Sequence, residues 1–165
     1  MKLSEIQKTP VAYVLVGLPG SGKSTWMRSL MRDGGDYTIV SSDDEIEAYA
    51  KSKGLTYSDV FNDYVKTATS IMNAKFKEAV TNGANIIWDQ TNMSAKKRKT
   101  IIQQLPKRYK KIAVVFRVDR AELQKRLDNR AKQEGKFIPQ HIIDSMERSF
   151  EMPTKAEGFD EIITV

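Results

Sequence analysis

The sequence contains no cysteine and a single histidine among its 165 residues. The lack of cysteine excludes disulfide bonds, a zinc site built from thiolates and a cysteine nucleophile. One histidine cannot build a metal centre with several histidine ligands. The uncharged apolar runs are only as long as a strand, so the sequence predicts no membrane-spanning segment and no membrane partner.

The first ten residues, MKLSEIQKTP, lack the apolar core of a secretory signal peptide. They mix basic and acidic side chains instead, so we expect a cytoplasmic protein. Hydrophobic residues make up 40% of the chain and charged residues 29%, a composition typical of soluble globular proteins. The length is that of one ordinary domain, and we expect residues 1–165 to form a single domain.

Basic residues outnumber acidic ones, and the excess lies in one block. The chain carries 27 lysines and arginines against 21 acidic residues, a formal net charge of +6. Residues 96–136 hold fifteen basic and four acidic residues, whereas the rest of the chain holds twelve basic and seventeen acidic ones. This block suggests a polyanionic partner, although solvated helix faces are the favoured explanation for most of its lysines.

Short apolar runs alternate with longer amphipathic segments along the chain. Runs rich in β-branched residues predict strands at 11–16, 37–40, 85–88, 112–118 and 162–165. Helical periodicity and stop signals predict helices at 25–32, 45–53, 60–80, 95–105, 121–132 and 139–150. This alternation predicts an α/β fold, with a parallel sheet of about five strands and helices on both faces.

A glycine-rich turn, GLPGSGKST at residues 17–25, follows the first predicted strand. It matches the full P-loop pattern of glycine, four residues, glycine, lysine and serine or threonine. The motif leaves a buried strand and opens a helix, where backbone N–H groups and the helix dipole face an anion. We therefore predict a P-loop NTPase-type sheet. The predicted ATP-binding residues are Gly17, Leu18, Pro19, Gly20, Ser21, Gly22, Lys23, Ser24 and Thr25.

Two residues of this motif carry the expected chemistry. Lys23 would reach the β- and γ-phosphates, and the Ser24 hydroxyl would be a magnesium ligand. The motif alone does not separate a kinase from an ATPase or a GTPase. The sequence has no Asn-Lys-x-Asp string of the kind that recognises guanine, which disfavours a GTPase.

Carboxylates follow the second and third predicted strands, whose carboxyl ends should face the P-loop. We predict Asp43 as the base that orients an acceptor hydroxyl and accepts its proton. Asp44 is explained as a helix N-cap, but a boundary error of one residue would exchange the two roles. Asp89 is predicted to bind the acceptor or a water on the magnesium, and Thr91 and Asn92 to donate neutral hydrogen bonds to the acceptor. Taken alone, Asp89 fits an ordinary aspartate at a strand end equally well.

Arg126 and Arg130 lie four residues apart and so share one face of a predicted helix. Two such cations could close over the triphosphate as a lid and neutralise charge during transfer. The alternative is an exposed basic stripe paired with Glu122 or Asp128. In the company of the P-loop and the carboxylates, the arginine pair favours a catalytic role.

Four consecutive cations, Lys96, Lys97, Arg98 and Lys99, crowd the start of the helix that Ser94 is predicted to cap. The helix dipole disfavours cations there, so a compensating anion would explain the cluster. Phosphates of a nucleic-acid acceptor are one candidate, which makes Arg98 a predicted acceptor-binding residue. Solvation alone is the other explanation.

Five segments of the chain together resemble one family. They are, in order, GLPGSGKSTW, SSDDE, DQTNMSAKKR, LQKRLDNR and FIPQHIIDSMERSFEMP. The series resembles the P-loop kinase domain of bacteriophage-type polynucleotide kinases over nearly the whole chain. The resemblance implies phosphorylation of the 5′-hydroxyl end of DNA or RNA with ATP and Mg²⁺, an activity of nucleic acid repair.

The same resemblance implies roles for individual residues. Lys23 and Ser24 would bind the triphosphate and magnesium, and Asp43 would be the general base. The acceptor-side motif and the lid arginines of the family fall on Asp89, Thr91, Asn92, Arg126 and Arg130. Two positions depart from the phage pattern, because Ser42 and Ile46 stand where it has a basic residue and an arginine.

Three hypotheses remain open on the sequence alone. The leading one is a kinase that transfers the γ-phosphoryl group of ATP to the 5′-hydroxyl end of a nucleic acid. A second is a P-loop kinase of a nucleoside, a modified base or another small alcohol. A third is an ATP-dependent module that holds nucleic acid without transferring phosphate.

Overall fold

The computed structural model describes residues 9–165, which contain one five-stranded parallel sheet and six α-helices. The strands are β1 (Val11–Val16), β2 (Tyr37–Val40), β3 (Asn85–Trp88), β4 (Lys110–Val115) and β5 (Glu161–Thr164). The helices are α1 (Lys23–Arg32), α2 (Ser42–Ser52), α3 (Tyr57–Thr81), α4 (Ala95–Gln104), α5 (Arg120–Glu134) and α6 (Gln140–Arg148). A 3₁₀ turn, Lys155–Glu157, precedes β5.

The strands lie in the order β2-β3-β1-β4-β5, with β1 at the centre. All four pairings are parallel, and β1 pairs with β3 on one side and with β4 on the other. Because all strands run in one direction, their carboxyl ends meet at a single edge of the sheet. The segments after β1, β2 and β3 are therefore brought together at that edge.

Alternate residues of β1 face opposite sides of the sheet and belong to different cores. Ala12 and Val14 pack with the buried faces of α3 and α4, including Phe76 and Ile101. Leu15 packs on the other face with residues of α1. Helices therefore cover both faces, as the sequence predicts.

A smaller apolar cluster joins α2 to α3 beside the main sheet. Ile46 and Ala50 of α2 are buried against Val60 and Ala68 of α3. A capping box fixes the start of α3. The Thr56 hydroxyl accepts a hydrogen bond from the Asp59 N–H, and the Asp59 carboxylate accepts one from the Thr56 N–H. This packing sets the position of the first turn of α2, which carries the predicted base.

All five predicted strands are present, but several boundaries differ. Helix α1 begins two residues earlier than predicted, inside the glycine-rich motif, and β4 ends at Val115. The prediction of Asp44 as an N-cap is wrong, because α2 begins at Ser42 and the Asp44 N–H donates to the side chain of Ser41, the true cap. The prediction of Ser94 as the N-cap of α4 is confirmed by its hydrogen bond from the Lys97 N–H.

Within residues 9–165, no helix combines the length and the apolar content that crossing a bilayer requires. The longest helix, α3, has 25 residues and carries several charged side chains.

Candidate active site

The glycine-rich motif forms the turn between β1 and α1. Gly20 and Gly22 have φ values of 81° and 106°, a left-handed region that favours glycine. Gly17 has no room for a side chain, since a Cβ there would lie 2.6 Å from Ser21 Oγ and 2.9 Å from Phe116 Cβ. The motif thus needs glycine for its shape and not only for flexibility.

The start of α1 is arranged to receive an anion. No side chain caps its N-terminus, and its first turn contains no acidic residue. The free N–H groups of a helix start and the positive end of its dipole attract phosphate. The starts of α2, α3, α4 and α5 are each capped by a side chain, whereas the start of α6, like that of α1, is not.

Lys23, the motif lysine, lies in the first turn of α1 and points toward the polar edge of the sheet. Its Nζ donates hydrogen bonds to the carbonyl oxygens of Gly17, at 3.0 Å, and Gln90, at 3.5 Å. Burial lowers the pKa of Lys23 to about 8, although Asp89 and Asp43 oppose the shift. The lysine is therefore still charged near pH 7.

Asp43 lies in the first turn of α2 with its carboxylate held by two partners. The Tyr57 hydroxyl donates to Oδ1 at 2.7 Å, and the Lys136 ammonium donates to Oδ2 at 3.4 Å. Burial favours a higher pKa for Asp43, but Lys136, the Tyr57 hydrogen bond and Lys23 together bring the pKa below its ordinary value. The side chain is 51% exposed, so a carboxylate oxygen is still accessible to another molecule.

Sequence analysis did not single out Lys136, which the structure places directly at Asp43. Its side chain is only 5% exposed, and its Nζ also donates to Glu47 Oε1 at 2.9 Å and lies 4.4 Å from the centre of the Tyr57 ring. A lysine in a short connection between helices has no periodicity that marks it as buried. Only the tertiary structure reveals this contact.

Two further carboxylates lie near Asp43. The Asp89 N–H donates to the Val40 carbonyl, which brings the ends of β2 and β3 together. Burial raises the pKa of Asp89, with partial compensation from Lys23. Burial and the charges of Asp89, Glu47 and Asp43 raise the pKa of Asp44 to about 6. The structure therefore collects acidic groups around two lysines at one edge of the sheet.

Asp44→Asn is expected to stabilise the fold at pH 7 by up to about 1 kcal/mol, a value reduced for the exposure of this side chain. The folded state raises the pKa of Asp44 from 3.8 to about 6, so it binds the proton more tightly than the unfolded chain. The contribution of Asp44 to the free energy of unfolding is therefore fully present below pH 4 and is lost as the pH rises through 6. Urea unfolding of both proteins at pH 3.5 and pH 7 measures the effect, and an equal gain at both pH values would contradict it.

Two predicted acceptor-binding side chains, Asn92 and Arg98, lie inside the protein. Asn92 is fully buried, and its Nδ2 donates to the Leu15 carbonyl at 2.8 Å. Arg98 is also 0% exposed and pairs with Glu157 at 2.8 Å. The prediction that these side chains contact an acceptor directly is therefore wrong, because both are enclosed by the protein. They hold the segment after β3 in place instead.

Thr91 and Asp89 remain at the surface of the site. The Thr91 carbonyl accepts a hydrogen bond from the Gly17 N–H at 3.0 Å, which ties the segment after β3 to the glycine-rich motif. Both residues are half-buried. Their roles toward an acceptor stay predictions.

Arg126 lies against the glycine-rich motif. Its NH1 donates to the Gly20 carbonyl at 3.1 Å, and its Nε pairs with Glu122 one helical turn away. Arg130 pairs loosely with Glu134, at 3.8 Å. The pair of Arg126 with Glu122 is one that an exposed basic stripe would form, whereas the contact of Arg126 with Gly20 joins α5 to the glycine-rich motif. Closure of the two arginines as a lid stays a prediction.

Of the remaining residues of the motif, Ser21 is buried, whereas the other four lie on its outer surface. Ser24 and Thr25 are exposed, and Leu18 and Pro19 are half-buried. The Ser24 hydroxyl belongs to the second residue of α1 and so lies beside the anion-attracting helix start. All nine predicted ATP-binding residues are therefore brought together around the start of α1.

Comparison with known proteins identifies the fold. Residues 13–153 match the model of a family described as AAA domain. Heterogeneous nuclear ribonucleoprotein U-like protein 2 of Mus musculus is 27% identical over 157 residues, covering 90% of this chain and 20% of the relative. The chain therefore spans about a fifth of the length of this curated relative.

Solved structures give the same result. A chain in the structure of the Pnkp1/Rnl/Hen1 RNA repair complex is 28% identical with a TM-score of 0.68, covering 90% of this chain and 46% of that chain. A second similar structure is that of a putative kinase from Chloroflexus aurantiacus, with 16% identity and a TM-score of 0.68. The alignment covers 96% of this chain and 86% of the kinase chain, and this likeness concerns the fold alone. These matches confirm a P-loop kinase fold and the resemblance to polynucleotide kinases.

Proposed function

The chain belongs to the AAA domain family, and on that premise we propose that it acts as a kinase that transfers the γ-phosphoryl group of ATP to the 5′-hydroxyl end of DNA or RNA. The observation that carries the proposal is the meeting of two features at one edge of the sheet. The uncapped start of α1 with Lys23 suits a triphosphate, and the accessible Asp43 carboxylate suits an acceptor hydroxyl.

In the proposed reaction, Asp43 accepts a hydrogen bond from the acceptor hydroxyl and takes its proton as the oxygen attacks the γ-phosphorus. The new oxygen–phosphorus bond forms as the bond to the β-phosphate oxygen breaks, and ADP leaves with the electron pair of that bond. Lys23 stabilises negative charge on the β- and γ-phosphates. Arg126 and Arg130 add positive charge on the side of α5.

The residues present suit a magnesium ion bound together with ATP. Within the part of the chain that the structure describes, no group of three acidic or histidine residues could hold a metal by itself. Mg²⁺ keeps several water ligands and is commonly bound by one or two protein oxygens together with substrate phosphates. The exposed Ser24 hydroxyl at the start of α1 can supply one such oxygen. When bound, the ion would neutralise phosphate charge.

Two observations support a polynucleotide as the acceptor. The chain in the Pnkp1/Rnl/Hen1 RNA repair complex is 28% identical over 90% of this chain, which is closer than a likeness of fold alone. Lys96, Lys97 and Lys99 are exposed at the start of α4, where they can contact phosphates along a strand. Because Arg98 is buried, these three lysines account for the predicted basic contact.

A small acceptor is a second candidate, and one observation favours it. Ile46 stands where the phage pattern has an arginine, and it is fully buried in the contact between α2 and α3. No side chain at that position can therefore bind a phosphate of the acceptor. A nucleoside or another small alcohol would not need that contact.

We expect the protein to label a 5′-hydroxyl oligonucleotide when it is incubated with γ-labelled ATP and Mg²⁺. The same oligonucleotide with a 5′-phosphate should stay unlabelled, because its terminal hydroxyl is blocked. Mononucleosides should be labelled much more slowly, because they lack the phosphates that the exposed lysines would bind. Gel separation of the labelled products measures all three reactions.

Three outcomes would contradict this proposal in different ways. Equal labelling of the 5′-phosphorylated oligonucleotide would exclude an end-specific kinase. Preferential labelling of mononucleosides would favour the small acceptor. No transfer to any acceptor with ATP still bound would favour a binding module. Lys23→Met is the inactive control, and Lys132→Met, which changes an exposed lysine of α5, is the matched control for loss of one positive charge.

A further inference from the structure

The short connection between α5 and α6, residues 135–139, packs against the starts of α2 and α3. The Phe137 N–H donates to Ser58 Oγ at 3.1 Å. Gly135 has a φ of 63°, and a Cβ there would lie 2.5 Å from Thr56 Cγ2, so this connection approaches the start of α3 closely. The contact joins the helix that carries the arginine pair to the helix that carries Asp43.

Lys136 is the central residue of this contact. Its ammonium group is almost completely enclosed, whereas its two carboxylate partners, Asp43 and Glu47, are each about half exposed. Enclosing a lysine charge is costly unless nearby groups compensate for the lost water. Here Asp43, Glu47 and the Tyr57 ring supply that compensation. Lys136 therefore contacts the two carboxylates from the protein side, and both carboxylates stay accessible from the solvent side.

We propose that Lys136 is a positioning residue, whose ammonium group orients the Asp43 carboxylate for the reaction. The orientation of this carboxylate therefore depends on the packing of residues 135–139 against α2 and α3. Lys136 holds Oδ2 and Tyr57 holds Oδ1, so the two contacts fix the plane of the carboxylate. The inference rests on the proposed function, because it assigns Asp43 the role of base. It adds a residue that belongs to none of the predicted motifs.

Several titratable groups face Asp43 and determine its response to pH. On α2 itself they are Asp44 and Glu47; from other elements they are Tyr57 of α3, Lys23 of α1, Asp89 after β3 and Lys136. Among the cations, Lys136 is the one that is hydrogen-bonded to the carboxylate. Loss of its charge leaves Lys23 as the remaining cation opposite the neighbouring carboxylates, so the pKa of Asp43 should rise and its ionised form should require a higher pH.

Lys136→Met is expected to move the titration of Asp43 to higher pH. The measurement is the side-chain carboxyl ¹³C signal of aspartate-labelled protein, with the Asp43 signal assigned from Asp43→Asn. Lys136→Arg should keep the wild-type titration, because it retains the charge. Lys132→Met, at the exposed end of α5, is the matched control and should leave the signal unchanged. This readout needs no catalytic activity.

The same variant should reduce kcat by about tenfold to a hundredfold and move the acid limb of the kcat profile to higher pH, with the Kd for ATP changed by less than about threefold. Identical Asp43 titration in wild type and Lys136→Met would overturn the proposal, as would an unchanged kcat profile. An altered titration in a protein that transfers no phosphate would instead contradict the proposed function and leave the contact between Lys136 and Asp43 established. If the methionine variant does not fold, Lys136→Gln provides the test, because it removes the charge and keeps a polar side chain.

Discussion

Asp43→Asn is expected to reduce kcat by about 10²–10⁴-fold, the usual contribution of general acid–base catalysis. Asparagine has nearly the same shape and can keep the hydrogen bond from Tyr57, but it cannot accept the acceptor's proton. The Kd for ATP should change by less than about threefold, because the phosphates are expected to bind at the start of α1. Steady-state transfer to an oligonucleotide and direct ATP binding measure the two quantities separately.

Asp44→Asn is the matched control for this substitution. It changes the adjacent carboxylate of the same helical turn, whose N–H is engaged with the Ser41 cap. It should keep most of the transfer activity. Unchanged turnover in Asp43→Asn combined with a large loss in Asp44→Asn would show that the two roles are exchanged.

Arg98→Met is expected to lower the free energy of unfolding by about 3–5 kcal/mol, the usual cost of removing one partner of a buried ion pair. The guanidinium is 0% exposed and makes four hydrogen bonds, two to Glu157 and one each to the carbonyl oxygens of Asn92 and Met93. Without Arg98, the Glu157 carboxylate and both carbonyl groups lose these hydrogen bonds. Urea unfolding of the purified variant measures the loss.

Lys97→Met is the control for Arg98→Met, because it removes an exposed cation from the adjacent position of the same helix. Its effect should stay within about 0.5 kcal/mol, as for most surface substitutions. A loss below about 1 kcal/mol in Arg98→Met would show that the buried pair contributes little to stability. The segment after β3 would then have to be held mainly by Asn92.

Most of the fold could be predicted from the sequence because two local signals agree. The apolar runs of β1, β2 and β3 have the length and composition of buried parallel strands, and their predicted ends match the structure. The glycine-rich motif then specifies the turn and the helix after β1. Helix boundaries were less predictable, because two adjacent serines and two aspartates at residues 41–44 could each begin α2.

The burial of Arg98 had a sequence signal that charge counting concealed. Arg98, Ile101 and Leu105 are spaced by three and four residues, as expected for one face of a predicted helix; Ile101 and the residue that ends α4, Leu105, are both buried. Lys96, Lys97 and Lys99 lie off that face and are exposed. Periodicity therefore separates the buried arginine from its neighbours, whereas the pattern of four consecutive cations does not.

The contact of Lys136 with Asp43 had no comparable signal. The two residues are 93 positions apart, and neither local propensity nor periodicity relates them. Similarly, the pairing of Arg98 with Glu157 spans 59 positions. Such contacts depend on how α5 and the 3₁₀ turn pack on the sheet, which the sequence of each segment does not determine alone.

The central position of β1 has a consequence for how the protein is synthesised. Ala12 pairs with Ile86 on one side, and Val11 pairs with Lys110 on the other, so both neighbours of β1 come from much later in the chain. Contacts of such long sequence separation form slowly and only after the intervening chain is available. On the ribosome, β1, from which the glycine-rich motif extends, therefore lacks one of its two neighbouring strands until β4 has emerged. The site can take shape only after residues 11–115 have all been translated, although its motif lies at residues 17–25.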